Sequence, residues 1–346
     1  MKSPWLVIRL QKVPFSFRVN RRVPMVLIIL ALITLLAMII SVSYGEYPVP
    51  PLATVKIILG LETTNADYEF IIRTLRLPRT LVAFCVGMGL AIAGSITQGI
   101  TRNPLAAPDI IGVNAGAALA AVTLLVIFPA TPIVFLPMTA FLGGLTVAVL
   151  IYLLAWKGGS SPVRLILVGM GLNLIASALT NLMITFGNIN NVSQALVWLT
   201  GSVYGRSWEQ LFTLLPWLIV FGVLALGMAR ELNTLSLGDE TARGLGSAIE
   251  PRRGILLLTS VALASAAVAT AGAIGFVGLM SPHLSRQLVG GTHEGQLPTA
   301  AMIGGMLVVI ADLLGRMLLA PTELPCGLIT AAVGAPFFLY LLIRNH

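Results

Sequence analysis

Few side chains in this sequence could carry chemistry, and most of them stand at the ends of apolar runs. Asp312 lies four residues before Arg316, a spacing that puts both on one helix face as an ion pair. Asp109 and Glu323 fall at run ends, so no file of carboxylates leads through the apolar stretches. Ion-coupled carriers keep costly buried acids for a purpose, and their scarcity argues against a proton- or sodium-driven carrier. Asn173 and Asn181 lie two turns apart in one run and Gln98 ends another. These three are candidates to line a polar path, with interhelical hydrogen bonding as the plainer alternative. His283, beside Pro282, suits helix-end packing better than a ligand or proton-relay role. No GxxxxGK[ST] phosphate loop, HExxH or paired-cysteine motif occurs. No catalytic group, cofactor or metal is therefore expected, and ATP hydrolysis would have to reside elsewhere. The two cysteines, Cys85 and Cys326, both in apolar runs, read as buried thiols.

Two polar stretches are more informative. Arg73, Arg76 and Arg79 lead into the second apolar run, and Arg316 falls on the same side of the membrane by the crossing order below. That side is the outer one, where basic residues are normally scarce. A cationic outer mouth would attract an anionic ligand or dock an acidic partner; the alternative is arginines snorkelling at span ends. The second stretch, Leu235–Gly246, reads LSLGDETARGLG. Asp239 and Glu240 near the start of a short helix, and Arg243 near its end, suit the helix dipole. An amphipathic segment with nothing obvious to pack on in its own chain suggests a partner subunit, or else a helix lying on the bilayer.

The elements that must hold these residues are membrane helices. Of 346 residues, 57% are hydrophobic and only 10% charged, and the mean hydropathy is +0.95. A soluble domain carries about 25% charged residues. In lipid every backbone polar group must pair internally, and non-alternating runs of about 20 residues select helices over a barrel. The net charge of +8 is explained by short basic loops under the positive-inside rule, without nucleic acid. Residues 1–22 form a basic cytoplasmic segment without an acid, and 23–346 a single transmembrane domain. Ten spans fit: Val23–Ser43, Pro78–Ile100, Ile110–Phe128, Ile133–Trp156, Leu165–Phe186, Leu211–Ala229, Gly254–Ala271, Ile274–Leu288, Leu297–Leu313 and Cys326–Ile343. Both termini and the loop Arg230–Arg253 are then cytoplasmic. Gly272, Gly275, Gly278 and Pro282 interrupt the eighth run, so a re-entrant segment is the alternative there. The second span is dense in small residues (Gly87, Gly89, Ala91, Ala93, Gly94, Ser95), which lets helix backbones approach closely.

The sequence resembles the iron-siderophore and cobalamin permeases of type II ABC importers. The matching stretches are LRLPRT (75–80), GLAIAGSITQGITRNPLAAPDIIGVNAGA (89–117), WLTGSVYGRSW (198–208), LSLGDETARGLG (235–246), GAIGFVGLMSPHLSR (272–286), ADLLGR (311–316) and ELPCGLITAAVGAPFF (323–338). They follow the family's order from about residue 70 onward, and the wording is most similar to ferric-citrate and other ferric-siderophore permease subunits. The resemblance implies a non-enzymatic subunit of the bacterial plasma (inner) membrane that moves ferric-siderophore complexes inward by alternating access. Cobalamin or haem is the runner-up substrate. It implies a second permease subunit, identical or related, two ATP-binding cassette subunits and an extracytoplasmic substrate-binding protein. It places the binding-protein docking arginines at Arg76, Arg79 and Arg316. ATPase coupling falls on Leu235, Leu237, Gly238, Asp239, Glu240, Ala242, Arg243, Leu245 and Gly246. The fifth and tenth spans would line the pathway.

Overall fold

The computed structural model describes residues 5–9, 16–45, 47–61, 65–157 and 159–344. Lys2 and Lys12 of the basic N-terminal segment, and Asn345 and His346 at the C-terminus, lie outside the described residues. The described chain is almost wholly helical. Its one sheet among the described residues is a short antiparallel pair, β1 (Trp5–Arg9) with β2 (Ser16–Asn20), whose second strand contacts the long helix His293–Leu318.

The first span, α1 (Arg22–Ser43), is 22 residues long, about 33 Å at 1.5 Å per residue, which matches a hydrocarbon core of about 30 Å. Two short outer helices follow, α2 (Pro51–Ile58) and α3 (Ala66–Phe70), and a π-type turn over Ile71–Arg76 leads into α4 (Leu77–Thr101). The central helix is α4: 78% of its most apolar window is buried, and it packs against α12, α13 and α14, whose bounds follow. Its small residues make this possible. A Cβ on Gly87 would strike the backbone of Gly304 and Gly305, and one on Gly94 the carbonyl of Gly278. Both are backbone-to-backbone approaches that any side chain would hold apart.

The remaining long spans are α6 (Leu136–Ala155), α7 (Pro162–Phe186), α9 (Trp208–Gly227), α12 (Ile249–Ala271), α14 (His293–Leu318) and α15 (Cys326–Arg344). Among the described residues eight helices are long and apolar enough to cross a membrane, against the ten spans read from sequence. The difference lies in the third and eighth. The third is α5 (Val113–Val122), prolonged as a π-type turn to Ile127, and the eighth is α13 (Val277–Val289) of 13 residues. At about 20 Å each falls short of a bilayer. Irregular backbone precedes both: Arg102–Gly112, with one 3-10 turn at Pro108–Ile111, before α5, and Gly272–Phe276 before α13. The first stretch meets the start of α13 inside the protein, since Pro108 lies against Gly278, which itself lies against Gly94 of α4. Irregular backbone at such depth survives only when buried in protein. The glycines flagged as breaking the eighth run thus build an extended stretch and a half-helix.

Three short helices complete the chain: α8 (Ile189–Leu199) at the outer end, and α10 (Ala229–Ser236) and α11 (Asp239–Gly244) at the inner end. The polar loop between α9 and α12 therefore folds into a helix pair.

Candidate functional sites at the two membrane faces

At the outer end, the entry into α4 and the last turns of α14 bring four charges together. Arg79 donates to both oxygens of Asp312 (Nε at 3.2 Å, Nη2 at 2.7 Å) and lies 2.9 Å from Glu323. Arg316 sits 3.4 Å from the other side of Asp312, the pair expected from the i,i+4 spacing. The side chains of Arg79, Asp312 and Arg316 are 11%, 4% and 7% exposed. Arg316 also donates to the backbone oxygens of Ser41 and Tyr44 and to Ser41 Oγ, which fastens the end of α1 to α14. The exposed ring of Tyr204 lies 5.5 Å from the Arg79 guanidinium.

The outer mouth is therefore less cationic than the sequence suggests, because Arg79 and Arg316, two of the three arginines the resemblance singled out, are balanced by Asp312 and Glu323. Arg76 has no acid within ion-pair reach among the described residues; it donates to the carbonyls of Val42, Ser43 and Tyr47. Arg73 pairs with Glu69 at 3.3 Å and donates to Ile57 O. A further outer arginine, Arg206, was passed over in the sequence because it sits in the loop before α9 and not beside the others. No described residue gives its guanidinium a partner, its Nε is buried, and burial lowers its pKa from the ordinary arginine value.

At the inner end, α10 and α11 meet at Leu237–Gly238, where Gly238 has φ 104°, a conformation that glycine adopts without the Cβ penalty. Asp239 and Glu240 occupy the first turn of α11 and Arg243 its last, as the dipole argument expects. The segment does pack on its own chain: Leu235 and Ala242 are fully buried. What stays uncovered is Leu237 (61% exposed) and Leu245 (66%), with Glu240, Arg243 and Gly246 exposed around them.

Asp239 turns inward. It accepts a 2.6 Å hydrogen bond from Arg253 of α12 and lies 3.8 Å from Arg102 at the end of α4. Arg253, only 1% exposed, also donates to the backbone oxygen of Ser160 and, at 3.1 Å, to its hydroxyl. Glu250 accepts from Ser160 N and Oγ at 3.0 and 2.6 Å. One buried guanidinium thus joins the α11 segment, α12 and the α6–α7 loop. In the sequence Arg253 was only one more basic residue of a cytoplasmic loop, since its partners lie 14 and 93 positions away.

The three pathway candidates do not converge. Gln98 is buried, accepting from Arg286 at 2.6 Å and donating to Leu279 O at 3.4 Å, so it ties α4 to α13. Asn173 is half-buried and donates to Asp109 O, holding the irregular stretch before α5 against α7. Asn181 is exposed on α7. His283 lies edge-on to Phe337 of α15 and within 2.9 Å of Gln287.

The chain as a whole is similar to known proteins. The sequence model of the FecCD transport family matches residues 32–344. The Fe(3+)-citrate import system permease protein YfmE of Bacillus subtilis (strain 168) is 43% identical over 326 residues, 94% of this chain and 96% of that one. The iron(3+)-hydroxamate import system permease protein FhuG of the same organism is 41% identical over 330 residues, 92% and 98% of the two chains. Among solved structures, a metal-chelate type ABC transporter in an inward-facing conformation superposes with a TM-score of 0.83 at 33% identity, covering 93% of this chain and 99% of that one. A helical membrane fold with a basic outer rim and an inner helix pair, matched at both sequence and structure level along nearly its full length, makes this chain a member of the FecCD transport family: a multi-pass ABC importer permease subunit and not an enzyme.

Proposed function

We propose that this chain moves ferric-siderophore complexes across the bacterial plasma membrane by alternating access, driven by separate ATP-binding cassette subunits. The observation that carries the substrate class is the even likeness, over nine-tenths of the chain, to one permease for Fe(3+)-citrate and one for Fe(3+)-hydroxamate. A second permease subunit, two ATPase subunits and an extracytoplasmic binding protein complete the assembly.

The uncovered Leu237–Leu245 face is the surface we assign to the ATPase. An apolar pair rimmed by the exposed charges of Glu240 and Arg243 suits a protein partner. Arg253 then passes a push on α11 to α12 and to the α6–α7 loop without slack. At the outer end Arg76, Arg79 and Arg316 receive acidic groups of the binding protein, with Asp312 as their internal competitor. The exposed flanks of α7 and α15 line the path, Asn181 among them. Residues 1–22 lie in the cytoplasm.

Uptake of radiolabelled iron on citrate, a hydroxamate or a catecholate, and of labelled cobalamin, by cells with and without the gene tests this reading. Loss of one ferric chelate, dependent on the cognate ATPase, is expected. Loss of cobalamin alone would replace the substrate, and ATPase-independent uptake would remove the importer mechanism.

A further inference from the structure

A cavity of about 1240 Å³ opens on the outer half of the molecule between α6, α8 and α9. Its floor is apolar and aromatic. Phe141 packs on Trp217 with ring centroids 4.5 Å apart, Trp217 stacks on Phe221, and exposed Leu142 and Val197 form the walls. Neutral polar side chains such as Gln194, Thr213 and Thr270 also line it, but its two charged groups, Arg206 and Glu209, stand three residues apart at the entry to α9. Neither side chain has an ion-pair partner among the described residues, and they do not pair with each other. Buried guanidinium nitrogen without a partner is costly and asks for a ligand. The distance from rim to floor is set by the helix: Glu209 to Trp217 is eight residues, about 12 Å.

A cation and an anion over an apolar trough of that depth match one chemistry. We propose that this cavity holds a phospholipid of the outer leaflet bearing a phosphoethanolamine headgroup, its phosphate on Arg206, its ammonium on Glu209 and an acyl chain over Phe141 and Trp217. The guanidinium offers five donors to phosphate oxygens, and an ammonium with three N–H groups suits a carboxylate that a trimethylated amine cannot hydrogen-bond. Charge complementarity decides against a hydrophobic partner helix, which would bury both charges unpaired. The lining at the α6 entry suits the same occupant: Ile133, Val134 and Met138 are each more than 60% exposed and offer apolar surface to an acyl chain. The cavity reaches the neighbourhood of Arg79 only through Tyr204, which lines it and whose ring lies 5.5 Å from that guanidinium; it includes no residue of the inner helix pair, and the proposal needs only that the chain spans a membrane.

The test is lipid binding to the whole detergent-purified transporter, stripped of lipid and titrated with phosphatidylethanolamine, phosphatidylglycerol or phosphatidylcholine under native mass spectrometry. One tightly held phosphatidylethanolamine per copy of this chain is expected. Arg206→Gln should weaken it about tenfold, the loss of one charge-assisted contact, with Arg206→Lys recovering part of it. Glu209→Gln should level the three headgroups. An intact complex mass in each variant separates loss of lipid from loss of fold. Equal retention of all three lipids by the parent protein, or unchanged retention in Arg206→Gln, would overturn the proposal. So would displacement of the lipid by soluble glycerophosphoethanolamine at equal concentration, because the acyl trough would then contribute nothing.

Discussion

Replacing Asp312 by Asn should make the protein less stable and its docking surface stickier at once. Asp312 balances two guanidiniums that are themselves nearly buried, Arg79 at 2.7 Å and Arg316 at 3.4 Å. At an effective dielectric of about 20, one such pair attracts by roughly 5 kcal/mol before desolvation is counted. Removing the acid strands both cations, and truncating a buried pair costs about 3–5 kcal/mol. Asn keeps one acceptor oxygen in place, and Glu323 still faces Arg79 at 2.9 Å, so the lower end, about 3 kcal/mol, is expected. If Arg79 and Arg316 also receive acids of the binding protein, Asp312 competes for them. Two released cations beneath the outer surface add about 1 kcal/mol of docking, which is about fivefold in Kd. The assay pairs thermal unfolding of the purified complex with binding-protein affinity measured below the transition. Unchanged unfolding would refute the charge-balance argument. Weaker docking by a folded variant would mean that these arginines do not meet acids from outside.

Other expectations concern the interior and the inner face. Gly94→Val should abolish folding, because its side chain has no room beside Gly278 O; normal yield and melting in detergent would contradict the α4–α13 contact. Leu237→Asp with Leu245→Asp should leave melting within error, since both are exposed, and abolish co-purification of the ATPase. Ala242, buried in its own chain, is not a fair probe of that surface. Arg253→Gln should cut uptake by at least about tenfold while ATPase association persists, because a neutral amide loses the charged contact to Asp239, worth about 1.5–3 kcal/mol. Uptake at the parental rate per ATP hydrolysed would remove its linking role.

Length, hydropathy and charge placement were enough for the membrane class, most span positions and the two polar faces. These follow from local rules: a bilayer sets helix length, translocation sorts lysine and arginine, and helix period pairs Asp312 with Arg316. The crowding of small residues in α4 likewise announced a packed central helix. Partner choice could not be read this way. Arg79 looked like a free outer cation because Asp312 lies 233 positions away, and Gln98 looked like a pathway residue because Arg286 lies 188 away. The inner segment looked unpartnered as a whole, yet the helix pair packs on α4, α12 and α14, which buries Leu235 and Ala242. The third span looked like an ordinary helix because hydropathy is blind to backbone path, and for the eighth the glycines signalled an interruption without giving its course. Only when Pro108, Gly278 and Gly94 meet inside the fold can irregular backbone be shielded from lipid, and that shielding is a property of the packed protein, absent from any single segment.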